Sequence, residues 1–128
     1  MQNYDFSGIW QSKYKFHSDS RNKDFEGTHL VRIYQRHNKL VVESLPEVNK
    51  SYVIMNLNVN DNAATGTWQE TTSPDGYYKG ATYHGAMQMI IDPNGKSMNG
   101  VWIGSGKNNR IKTGPWSIEY LGKKLPAK

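Results

Sequence analysis

An all-β fold, a closed antiparallel up-and-down barrel of about eight strands, follows from three features of this sequence. Runs rich in Val, Ile, Thr, Tyr and Trp alternate with turn-forming clusters at short, fairly even intervals. No segment carries a sustained helical period. Glycines recur inside the runs, where a missing side chain marks a bend, a bulge or a close backbone approach.

The first run, 6–16, alternates strictly. Phe6, Gly8, Trp10, Ser12, Tyr14 and Phe16 share one side, opposite Ser7, Gln11, Lys13 and Lys15, so the aromatic side is expected to face the core. The segment "HSDSRNKDFE" at 17–26 has room for a short helical turn. Further runs are expected at 27–35 and 39–46 around "RHNK", at 51–59 after "PEVNKS", and at 64–72 after "VNDNA". The sixth, 77–92, follows "SPDG"; the seventh, 97–104, follows "DPNGK"; the eighth, 112–121, follows "GSGKNNR". Strands joined this way form a meander, and closing it removes both exposed edges. A barrel of this strand number encloses side chains or one small ligand.

Gly66, Gly80, Gly85, Gly100 and Gly114 fall within these runs. The sixth run is mixed on both faces, with Tyr77, Lys79, Ala81, Tyr83, Met87 and Met89 against Tyr78, Thr82, His84, Ala86 and Gln88. A bulge at Gly80 or Gly85 is expected to switch its register.

The chain has 128 residues, one domain's worth, with a core over about 6–121 and a solvated, flexible tail at 122–128. Sixteen Lys and Arg against eleven Asp and Glu give a net charge of +5, which favours anionic partners without locating a site. The absence of cysteine excludes disulfides, thiolate metal sites and thiol nucleophiles. The start "MQNYDFSGIW" lacks a signal-peptide pattern, and no apolar run is long enough to span a bilayer. A cytoplasmic location without membrane association is the expectation.

Several patterns point away from particular chemistries. "GSGKNN" at 104–109 departs from a nucleotide phosphate loop, since Lys107 is followed by Asn108 and then by a strand. Its amides, with Lys107, Arg110 and Lys112, remain candidates to cradle an anion at a barrel mouth. His17, His29, His37 and His84 show no metal-ligand spacing, so neither metal nor cofactor is expected. No nucleophile elbow is present, and catalysis is not expected; an enzymatic reading rests on Glu70, His84 and the tyrosines lying together. Glu43, Glu70 and Glu119 lie in strands, where an inward carboxylate needs a partner, and Arg32 is a candidate for that role. Trp10, Trp68, Trp102 and Trp116 each lie in a run near a glycine with no accompanying basic stripe, so DNA or RNA binding by this domain is not expected.

The "SGIW" opening at 7–10 resembles the G-x-W start of lipocalin-like (calycin) barrels. With "GTHLVRIYQRHNKLVVESLP", "ATGTWQETTSPDGYYKGATYHGAMQMIIDPNGKSMNGVW" and "KTGPWSIEYL", the chain from Gly8 to Tyr120 is similar to a lipocalin-like domain found behind the helix-turn-helix of bacterial XRE-type regulators. The order G-x-W, "IYQ" at 33–35, "YHG" at 83–85, "MNG" at 98–100 and "TG" at 113–114 also resembles the β-barrel sensor of two-transmembrane CBASS antiphage effectors. Those barrels bind cyclic oligonucleotide second messengers. The neighbouring DNA-binding or membrane-spanning domain of either pattern is absent from this sequence.

The resemblance implies a sensor or sink barrel for a small anionic ligand, with a cyclic nucleotide as its sharpest form. Tyr77, Tyr78, Tyr83 and Trp68 would offer stacking faces, and Arg32, Lys79, Arg110 and Lys112 would meet phosphates. Glu70 or Thr71 would read a base edge, with His84 beside them. Two alternatives stand next to it: a filled structural or protein-interaction barrel serving a transcriptional regulator, and a carrier of an apolar ligand.

Overall fold

A computed structural model describes residues 4–46, 50–105 and 109–125. Eight antiparallel strands follow one another around a closed barrel: β1 (Gly8–Ser18), β2 (Lys23–Arg36), β3 (Lys39–Ser44), β4 (Tyr52–Asn60), β5 (Ala63–Thr71), β6 (Thr82–Ile91), β7 (Ser97–Ser105) and β8 (Ile111–Gly122). β8 pairs back onto β1, so every strand has two hydrogen-bonded neighbours and no edge is left open. The expected meander is the observed one.

Period-two alternation builds the interior. Trp10, Ser12 and Tyr14 of β1, Val31 and Ile33 of β2, Met55 of β4, Trp68 of β5, Met87 and Met89 of β6, Trp102 of β7 and Trp116 of β8 are all buried. The bulky rings meet glycines across the ladder: Tyr14 pairs with Gly27, Trp68 with Gly85, Trp102 with Gly114 and Trp116 with Gly100. Gly27 and Gly114 leave space that the Tyr14 and Trp102 rings cover, whereas a β-carbon at Gly85 or Gly100 would meet the backbone of the neighbouring strand, at Ile103 O and Gln88 O. At Gly27 the requirement is direct, because a β-carbon there would lie 2.2 Å from Cζ of Tyr14.

The two ends of the barrel differ. At one, the segment before β1 folds inward as a plug: Phe6 is buried, its carbonyl accepts from Trp10 Nε1 at 2.8 Å, and its amide donates to Gln35 Oε1 at 2.7 Å. Gln35 Nε2 in turn donates to the Tyr4 carbonyl at 3.1 Å. The β2–β3 and β4–β5 connections at this end are tight, with His37 and Asp61 in the left-handed region that His and Asp tolerate better than most residues. At the opposite end lie the β1–β2 turn, the β3–β4 connection, the long β5–β6 loop and the β7–β8 connection.

Three local expectations are corrected. Residues 17–26 hold no helix; β1 runs to Ser18, a turn closes through Asn22 N–H to Asp19 O at 3.3 Å, and β2 starts at Lys23. Asn22, at φ +48, supplies the left-handed corner that a hairpin needs. Residues 77–81 are not strand: Gly76 and Gly80 both donate to Ser73 O, at 3.0 and 3.1 Å, and Lys79 and Gly80 have positive φ, so the chain turns before β6 begins at Thr82. β6 is then regular throughout, with no bulge at Gly85, and Gly80 lies outside it. A register shift occurs instead between Ile9 and Trp10, where β1 meets β8.

Candidate functional site

The end opposite the plug encloses a cavity of about 190 Å³. Its wall is a chain of rings, each within reach of the next. Trp102 meets Trp68 edge-on at 5.6 Å, Trp68 lies 5.7 Å from Trp116, and Trp116 lies 4.7 Å from Tyr14. The series continues through Phe16, Tyr78 and Tyr83 at separations of 5.9, 6.3 and 5.7 Å. Alternation along β1, β5, β7 and β8 aims the strand residues inward, while Tyr78 arrives from the β5–β6 loop. By straight alternation Tyr78 and Tyr83 fall on opposite faces; the turn through Lys79 and Gly80 brings them edge to face.

Glu70 is the interior carboxyl. It projects from β5 between these rings, and one oxygen accepts from the Tyr14 hydroxyl at 2.6 Å. Burial pushes the Glu70 pKa above the usual carboxylate range, against the opposing pull of the Tyr14 hydrogen bond. Tyr14 is itself shifted up, first by burial and then by the Glu70 charge, and Tyr83 moves the same way for the same leading reason.

Charge collects at the rim. Lys112 Nζ lies 2.6 Å from Asp19 and donates to the His17 carbonyl at 3.2 Å. His17 Nδ1 lies 2.8 Å from Asp24. An adjoining groove of about 250 Å³ is lined by His17, Asp19, Arg110 and Lys112 among others. Across the mouth, Arg21 is sandwiched between Phe25 and Tyr77, with its guanidinium carbon 3.8 and 3.9 Å from the two ring centres. Arg21 also donates to the Tyr78 hydroxyl at 3.3 Å, and Ser20 Oγ meets the Tyr77 hydroxyl at 2.8 Å, which ties the β1–β2 turn to the β5–β6 loop.

Of the residues expected in a site, Trp68, Glu70, Tyr78, Tyr83 and Lys112 line the cavity. Arg110 lines the adjoining groove, and exposed Tyr77 belongs to the rim. Lys79 is exposed on the loop's turn. Arg32 is not brought to the cavity: buried Val31 and Ile33 flank it, which turns it to the outer face beside Glu43. Glu43 also faces outward and accepts a short hydrogen bond from Tyr52, which pushes the Tyr52 phenol up to about 12. Thr71 pairs with Thr82 at 3.3 Å on the outside. His84 is exposed on the outer face, so Glu70, His84 and the tyrosines do not form one cluster. Lys107 lies outside the described residues. Among the described residues no cluster of His, Asp and Glu is suited to hold a metal, and no helix is long and apolar enough to cross a membrane.

Sequence reasoning did not assign Tyr14, Phe16, Arg21, Trp102 and Trp116 to the site. Alternation had already placed Tyr14 and Phe16 inward. The missing information was that the plug fills one end with Phe6 and Trp10, leaving their successors on β1 to wall an open end.

These features define a closed eight-stranded antiparallel barrel, plugged at one end and hollow at the other. No family model matches the chain, and no curated protein is similar to it.

Proposed function

We propose that this barrel binds a small, ring-bearing ligand in its hollow end. The observation that carries this reading is the cavity itself: about 190 Å³ of space among aromatic side chains, with a carboxyl group at its wall. For scale, a cavity of about 150 Å³ holds one benzene molecule. The space therefore suits a single ring or a compact bicycle, and a larger ligand would leave its remainder at the rim. Ligand sites of this kind are apolar, concave and supplied with a few polar groups that fix orientation.

A second reading has its own support in the rim. Lys112 and Arg110 border the groove next to the cavity, and Arg21 stands across the mouth. A nucleotide second messenger could insert one base beside Glu70 and leave its phosphates among these cations, in keeping with the resemblance to sensor barrels.

Thermal-shift screening of the whole chain against indole, single nucleotides, cyclic dinucleotides and fatty acids tests both, because a ligand that binds only the folded state raises its melting temperature. A shift with ring-bearing compounds that is reduced by Tyr78→Ala supports the cavity reading. A shift confined to cyclic dinucleotides and lost in Lys112→Ala supports the second. If fatty acids alone shift the transition, the barrel is an apolar carrier; no shift with any compound favours a structural role.

A further inference from the structure

The chemistry of the cavity wall is asymmetric, and the asymmetry bears on the charge of the ligand. The indole N–H groups are already engaged. Trp68 donates to the Ala86 and Ile103 carbonyls at 3.1 and 3.2 Å, Trp102 to Lys15 O at 3.0 Å, and Trp116 to Ser12 Oγ at 2.8 Å. Lys112 is held by Asp19 at the rim. Tyr14 spends its hydroxyl proton on Glu70 Oε2. The second Glu70 oxygen has no hydrogen-bond donor among the described residues, and Glu70 shares the cavity lining with Trp68, Trp102, Trp116, Tyr78 and Tyr83.

We propose that the cavity takes a compact organic amine in its protonated form, with the ammonium against Glu70 and a single ring among the indoles. The inference rests on the small-ligand reading above and adds the sign of the ligand's charge. A carboxylate and the negative faces of aromatic rings attract the same kind of group, a cation carrying N–H donors. An anion pushed to the same depth would meet Glu70 and ring faces, with every indole N–H turned away into the barrel's own oxygens. Burial disfavours the charged form of Glu70, and an ammonium beside it would supply a counter-charge closer than Lys112, which is held by Asp19 at the rim. The volume accommodates one ring with a short aminoalkyl arm.

Three probes of nearly equal size and different charge decide the matter: phenethylamine, phenethyl alcohol and phenylacetate. Each is titrated at neutral pH into the isotope-labelled full chain and into Glu70→Gln, following the indole N–H resonances of Trp68, Trp102 and Trp116. The expected result is amine affinity about tenfold or more above the alcohol, with phenylacetate weakest, and loss of that advantage in Glu70→Gln. Equal binding of amine and alcohol, or tightest binding of the acid, overturns the charge inference and leaves the cavity reading standing. Silence with all three overturns both. If Glu70→Gln proves unfolded by its spectrum, the ranking on the unaltered chain decides alone.

Discussion

The Tyr14 hydroxyl donates to Glu70 Oε2 at 2.6 Å across the barrel interior, joining β1 to β5, two strands that share no ladder. Backbone pairing fixes each strand only to its neighbours, so this bond ties opposite walls of the hollow end together. Tyr14→Phe keeps the ring against Trp116 and removes the donor. Leaving a buried acceptor without its partner costs about 1–3 kcal/mol. Urea denaturation at neutral pH measures it; an unchanged midpoint would show that the bond contributes nothing.

Glu70 also sets a pH dependence. Its folded pKa lies above the ordinary value of 4.5 because of burial. Between the unfolded and folded values the native state therefore binds more protons than the unfolded chain, and stability falls as pH rises across that interval. The contribution is most favourable below the ordinary carboxylate range and becomes a constant penalty above the folded value. Glu70→Gln removes the titration, so its stability relative to the unaltered chain should climb as pH rises from about 4.5. Paired urea melts at a series of pH values test this, and a difference that stays flat would mean Glu70 ionises freely.

How far the sequence revealed this site can be seen residue by residue. The barrel, its order of strands and the inward aromatic face of β1 follow from local alternation and turn chemistry, which need no tertiary knowledge. Trp68, Glu70 and Tyr83 follow from the same rule applied to β5 and β6. Arg32, a candidate partner for an inward carboxylate, sits opposite Glu43 on the outer face, because its neighbours Val31 and Ile33 carry the stronger signal and turn it outward. Tyr78 depends on a loop that reverses direction through two positive-φ residues, and Arg21 depends on a turn meeting that loop across the mouth. Such contacts are set by three-dimensional closure, which periodicity does not encode.

Gly27 is expected to be intolerant of even the smallest side chain. A β-carbon there would lie 2.2 Å from Tyr14 Cζ and 2.5 Å from its hydroxyl oxygen, while φ at this position is ordinary, so the obstacle is the ring and not the backbone. Gly27→Ala must push Tyr14 off Glu70 or move β2 away from β1. Overpacking of this kind costs about 1–3 kcal/mol. The variant should also lose cavity binding along with Tyr14→Phe if the hydroxyl orients Glu70. Thermal melts with and without a ring-bearing ligand separate the two effects, and a fully native melting temperature would show that the register at Tyr14 is looser than described.

The plug and the hollow end should respond to mutation in opposite ways. Phe6 is 1% exposed and packs between Tyr4 and Trp10, with ring separations of 5.4 and 6.2 Å. Phe6→Ala removes a buried ring and opens a void that its neighbours fill only in part, a loss of about 3–5 kcal/mol. It lies at the far end from Glu70, so ligand-induced shifts in melting temperature should persist on the lowered baseline. Tyr78 sits in the rim with part of its surface in solvent, and its contacts to Tyr83, Phe16 and Arg21 bridge loops more than core. Tyr78→Ala should leave the baseline melt within a few degrees and weaken ligand binding about tenfold, since stacking on one aromatic ring contributes about 1–3 kcal/mol. The pair forms a double dissociation measured by one technique, differential scanning fluorimetry with and without ligand. If Tyr78→Ala lowers the melt as much as Phe6→Ala does, the β5–β6 loop belongs to the folding core and not to a binding mouth.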